Sequence, residues 1–138
     1  MSRFSFALFF LALAVGFGIG PVGACDGPAT VWRTMSESRV ILRSSEGETR
    51  HLTVKIAMTP AQRRAGFQYI CSKWVRVWGV LFIFPASQRT TFHMRNVREH
   101  LDIAFIAEDG RILELQKMSR ELESSGGRSS VSYTHLRA

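Results

Sequence analysis

Gly79-Val80-Leu81-Phe82-Ile83-Phe84-Pro85 is the stretch whose reading decides the fold. Five consecutive large apolar residues make too short a run for an ordinary helix and too apolar a one for a surface strand. Pro85 then ends the run by withdrawing a backbone donor. The segment reads as a fully buried central strand. Downstream, Thr90 to Asn96 alternates, with Phe92 and Met94 on one face and His93 and Arg95 on the other. Leu101-Asp102-Ile103-Ala104-Phe105-Ile106 is a further apolar strand interrupted by one carboxylate. Glu108-Asp109-Gly110-Arg111 turns the chain tightly, because Asp-Gly accepts positive φ at low cost, and Ile112, Leu113 and Leu115 begin the return.

Upstream, Val40-Ile41-Leu42 and the turn-like Ser44-Ser45-Glu46-Gly47 lead to Leu52, Val54 and Ile56. These alternate with His51, Thr53 and Lys55, so a first hairpin is expected with Lys55 on its polar face. Thr59, Pro60 and Gln62 form a capping-box start to a helix that Gly66 stops within a few residues. The pattern predicts an α+β, β-rich domain: a compact, mainly antiparallel sheet or open barrel with one short helix. No βαβ rhythm speaks for a doubly wound nucleotide-binding fold.

With 138 residues, 46% apolar and 21% charged, the chain has the size and composition of one soluble domain rather than a polytopic membrane or disordered protein. The domain is expected over residues 39–118. Residues 119–138 read as a low-complexity or non-native tail, since Ser124 to Ser130 is Ser/Gly-rich and Val131 to Ala138 is a weak strand at best. Residues 25–38 read as a polar tether.

Residues 1–24 read as a secretory signal peptide. Arg3 supplies the positive start, Phe4 to Gly20 is apolar apart from Ser5, and Pro21-Val22-Gly23-Ala24 is a small-residue exit. Export to the periplasm or exterior is expected, and the segment is set aside from the fold. Val22-Gly23-Ala24-Cys25 also resembles a lipobox, so a lipoprotein anchored through Cys25 is the alternative. Without lipid, Cys25 could bridge to Cys71, as an oxidising compartment permits; otherwise Cys71, in an apolar setting, is an inert buried thiol. Contact with a membrane is expected only through the signal segment or that lipid.

The net charge is +7, and loss of Arg3 with the leader leaves +6. The basic residues are scattered without an aromatic-interleaved stripe, so no nucleic-acid partner is expected. His51, His93, His100 and His135 have no metal-ligand spacing, and neither a metal nor another cofactor is expected. Trp74 and Trp78 are expected in the core, with an exposed apolar lip as the alternative.

Four pieces between His51 and Met118 together resemble the domain of unknown function 192 family. Thr59-Pro60-Ala61-Gln62-Arg63-Arg64-Ala65-Gly66-Phe67 is similar to its TPeer-xGL/F helix, and Gly79 to Phe84 to its GMLFvF strand. Phe92-His93-Met94-Arg95-Asn96 and the Leu101-to-Gly110 segment match its F-W/H-M-K/R-N strand and PLDIaFid-xdG hairpin. The resemblance implies a compact β-rich α+β domain, often exported and without established activity, and supplies no catalytic residues. There are two departures: His100 stands where the family has Pro, and the chain after Met118 lacks the family's further strand with its YaLE element. A truncated or non-native C-terminus is therefore expected, and a poorly folding truncated product is one possible outcome.

His93, Arg95, Asn96 and Asp102 form the polar cluster with ligand-binding potential. A carboxylate inside an apolar strand must find partners, so Asp102 is expected to help Asn96 pin the connection over residues 97–100, or to join His93 and Arg95 around a polar or anionic ligand. The expected function is a noncatalytic binding or accessory domain of the cell envelope, with envelope components or such a ligand as partner. The alternative is a ligand-processing enzyme using His93, Arg95 and Asp102, although no nucleophile or metal completes a catalytic set.

Overall fold

The computed structural model describes residues 5–10, 30–120 and 130–133. These residues form eight strands and three short helices in the order β1 (Ser5–Phe10), α1 (Thr30–Arg33), β2 (Ser36–Arg43), β3 (Thr49–Ala57), α2 (Pro60–Ala65), α3 (Ser72–Val75), β4 (Gly79–Phe84), β5 (Thr90–His93), β6 (Leu101–Ile106), β7 (Ile112–Met118) and β8 (Ser130–Tyr133). Six strands form one sheet in the order β2-β3-β4-β1-β6-β7, and β5 pairs with β8 in a second. The fold is α+β and strand-rich, as the pattern predicts.

Local chemistry explains the expected elements. Gly47 and Gly110, at φ of 88° and 86°, turn the β2–β3 and β6–β7 hairpins in a region closed to most side chains. The Thr59 hydroxyl accepts from the Gln62 amide and the Gln62 side chain accepts from the Thr59 amide, so both halves of the capping box are present. Gly66 ends α2 at φ 44°, ψ −124°, and its N–H donates to the Gln62 carbonyl. A Cβ there would also lie 3.4 Å from the Phe82 ring. Gly66→Ala is accordingly expected to destabilise by about 1–3 kcal/mol, measured as a shift in the urea midpoint; an unchanged midpoint would show that the turn relaxes freely.

Four features depart from the expectations. Three helices form rather than one. The β3–β4 pair is parallel, because α2 and α3 supply the crossover that parallel neighbours need. Residues 30–38 are not tether: Trp32 of α1 and Met35 pack in the core, and β2 already begins at Ser36. Finally, Ser5–Phe10, set aside with the leader, is an inner strand between β4 and β6. Residues 1–4 and 11–24, the rest of the expected signal segment, lie outside the described residues.

The sheet separates two apolar clusters. Val80, Phe82 and Phe84 of β4, with Leu101, Ile103 and Phe105 of β6, face the helices and pack with Trp32, Phe67, Ile70 and Val75. Trp74 and Trp78 pack against the same cluster, consistent with the core reading. On the other face Val54, Ala104 and Ile106 are buried among Val40, Leu42, Leu52, Ile56 and Leu81. β4 alternates buried with half-buried residues instead of being buried throughout, because none of the described helices covers this second face. The sheet curls around it: Leu42 of β2 and Ile112 and Leu115 of β7, from opposite edges, line one hollow of about 360 Å³. The curl stops short of a closed barrel, since β2 and β7 do not pair.

Candidate functional site

A cleft of about 320 Å³ opens between α2, the end of β4 and β5. Its floor is aromatic. Phe92 lies edge-on to Phe82 and Phe105, with centroids 5.2 and 6.1 Å apart, and Phe67 and Phe84 extend the same surface. Its rim is basic and polar: Arg63, Arg64 and His93 stand with Gln68, Gln88, Thr90 and Thr91, and no carboxylate is among the described lining residues.

The two arginines differ in freedom. Arg63 is built into the frame: its Nη1 donates to the carbonyls of Met58 and Ile83, the latter at 2.9 Å, and its guanidinium lies 5.3 Å from the centroid of the Phe84 ring. Arg64 is exposed, and no ion-pair partner engages it among the described residues. Both sit on α2 because the capping box and Pro60 fix the helix start and Gly66 its end, leaving the basic pair in the last turn. That helix buries no residue, so its side chains are available to the cleft and to solvent.

The residues expected to form one cluster are dispersed. His93, exposed at the end of β5, lines the cleft. Arg95 is exposed and does not line it. Asn96 adopts φ 59°, and its side-chain amide donates to the Tyr69 hydroxyl at 2.8 Å while its carbonyl accepts from the Tyr69 N–H at 2.9 Å. It ties the β5–β6 connection to the segment after α2 and makes no bond to Asp102. Asp102 alternates with Leu101 and Ile103, so it faces away from the helices, into the hollow shared by Leu42 and Leu115. Its partner across the ladder is Lys117. His93 and Asp102 thus line separate cavities. Among the described residues, no group of three His, Cys, Asp or Glu is placed to hold a metal ion.

Cys71 is buried and disulfide-bonded; Cys25, the other cysteine of the chain, lies outside the described residues. The clearest electrostatic perturbation is peripheral. Arg111 Nε donates to Asp109 Oδ2 at 2.7 Å, and this bond holds the Asp109 carboxyl below its usual range and raises the guanidinium. Both groups are exposed in the β6–β7 turn and lie outside the cleft.

The sequence pattern does not mark Arg63 and Arg64 as site residues. Their one signal is position: two adjacent cations closing a capped helix too short to bury a face.

A curled, mainly antiparallel sheet with helices on one face defines the class as a small α+β domain. The chain belongs to the domain of unknown function 192 family, described as an uncharacterized ACR, whose sequence profile matches residues 41–134. A crystallised protein of Sinorhizobium meliloti, described provisionally as a transcription regulator, is similar: TM-score 0.58 and 30% identity, over 72% of this chain and 78% of that one. No curated protein matches the chain significantly.

Proposed function

We propose that this protein is an exported, noncatalytic binding module of the cell envelope, whose cleft holds a small anion with an apolar body. The observation that carries the reading is the pairing of a phenylalanine floor with an Arg64–His93 rim that has no carboxylate among its described residues. Aromatic walls exclude water from an apolar ligand, and an uncompensated guanidinium favours an anionic group at the mouth. The leader pattern of residues 1–24 supports export, and so does the Cys71 disulfide, since such bonds persist in oxidising compartments. An intrachain bridge can run only to Cys25, and a sulfur so engaged cannot also carry a lipid; we therefore favour soluble release over the lipoprotein.

The description of the Sinorhizobium protein would make nucleic acid the partner. The described helices, of four to six residues, are too short to read a major groove, which weighs against it. The dispersal of His93, Arg95 and Asp102 likewise weighs against the ligand-processing enzyme.

Titration of the protein with benzoate and phenyl phosphate, followed by amide chemical shifts, tests the reading. Saturable shifts are expected at the cleft, with affinity about two- to fivefold weaker in Arg64→Ala and falling as salt screens the exposed charge. Equal binding of neutral benzyl alcohol, or an Arg64→Ala variant that binds unchanged, would reject an anion site.

A further inference from the structure

Ser5–Phe10 occupies an unusual place for a segment with a leader's composition. Four of its residues pair with β4 and five with β6, antiparallel on both sides, and those two strands meet within the sheet only through it. The register puts Ala7 between Phe82 and Phe105. Phe92 lies edge-on to both of those rings. The strand thus has a small residue at the register position paired with Phe82 on one side and Phe105 on the other. Yet cleavage after Ala24 would carry the whole strand away.

We propose that Ser5–Phe10 is a replaceable strand: processing removes it, and the gap left between β4 and β6 captures an extended apolar segment of a partner polypeptide. The proposal rests on the export reading above. Strands hydrogen-bond at about 4.8 Å, so the gap spans about 9.6 Å, wide enough for one strand and too narrow for a helix with its side chains. Both walls would then present unpaired N–H and C=O groups. An edge of this kind recruits a strand from another chain through backbone bonds that are blind to sequence. Specificity comes from the pleat. The occupant runs antiparallel to β4 and β6, is apolar on both faces, and has a small residue where Ala7 now stands, between Phe82 and Phe105.

The test uses the full chain with a specific protease site inserted between Gly20 and Pro21. After cutting, a labelled peptide of residues 5–10 with flanking lysines is added, and a second peptide carries Ala7→Trp. Displacement of the native fragment is expected, with one peptide bound per chain and the Ala7→Trp peptide at least about tenfold weaker. Stripping the fragment should lower Tm by more than about 10 °C, and the matched peptide should restore it. A fragment that never exchanges, a Tm indifferent to its loss, or equal binding of both peptides would overturn the replaceable strand. N-terminal sequencing of the protein recovered from cells tests processing separately. A chain beginning at Met1 overturns the processing step and the export cleavage beneath it, whatever the peptides do.

Discussion

Phe82→Ala is expected to lower the free energy of unfolding by about 3–5 kcal/mol, a large part of the roughly 5–15 kcal/mol that holds a typical domain together. The ring is 3% exposed. It lies on the helix-facing side of β4, beneath Gly66 and edge-on to Phe92. Truncation removes the transfer energy of a whole ring and leaves a hollow whose walls cannot easily close. The curled sheet fixes β4 on one side, and the capped α2 with its strained Gly66 fixes the other. Because Phe82 also floors the cleft, the variant should lose any ligand-induced shift there along with stability. Leu81→Ala is the internal comparison. It lies on the same strand but on the opposite, half-buried face, next to the cluster that none of the described helices covers, and a smaller loss is expected there. Urea midpoints at unchanged m-value give both numbers. Equal losses for the two would contradict the two-sided division of the core.

The elements legible in the sequence are those whose determinants lie within a few residues of one another. The capping box needs Thr59 and Gln62; the β6–β7 turn needs Asp109 and Gly110; both bring their own hydrogen bonds. What escaped reading depends on distant contacts. The sequence of Ser5–Phe10 is apolar apart from Ser5 and does not alternate, so its pattern suits a membrane-seeking leader as well as an inner strand, and only the register between β4 and β6 separates the two. Trp32 and Met35 sit in a polar stretch, and their burial follows from α1 folding back onto the sheet. The candidate site shows the same divide. His93 could be singled out by its strand, but it shares its cleft with Arg63 and Arg64, about thirty positions earlier, rather than with Asp102, nine positions later. Alternation alone does put Asp102 on the face opposite Leu101 and Ile103. That β5 leaves the six-stranded sheet to pair elsewhere is a tertiary fact with no local signature.

Lys55→Glu is expected to be the most damaging single charge change, costing about 3–5 kcal/mol. Strand alternation assigns Lys55 to a polar face, yet it is 7% exposed. The C-terminal half of β3 is covered on both sides, by the Val54 cluster on one face and by Trp32 and Trp78 on the other. Its ammonium donates to Glu37 Oε1 at 2.8 Å and to the Met35 carbonyl at 3.5 Å, and it lies 4.9 and 5.2 Å from the centroids of the two tryptophan rings. Those rings meet edge-to-face at 6.0 Å, so the cation sits against a preformed aromatic corner. A carboxylate there would face Glu37, a carbonyl oxygen and two negative ring faces, with no compensating donor in that set. Even the buried Trp32 N–H, which has no acceptor among the described residues, belongs to the ring whose face would repel it. Lys55→Met separates charge from packing: it keeps the long apolar stem between the rings and gives up only the ammonium. Because Glu37 is 57% exposed and can return to water, the pair itself contributes little, and this variant should fall within about 1 kcal/mol of the parent. Lys55→Ala, which loses the stem as well, should lie between the two, near 2–3 kcal/mol. The order Met, Ala, Glu in urea midpoint is the expected result. A Met variant as unstable as the Glu variant would mean that the ammonium, and not the packed stem, holds this corner together.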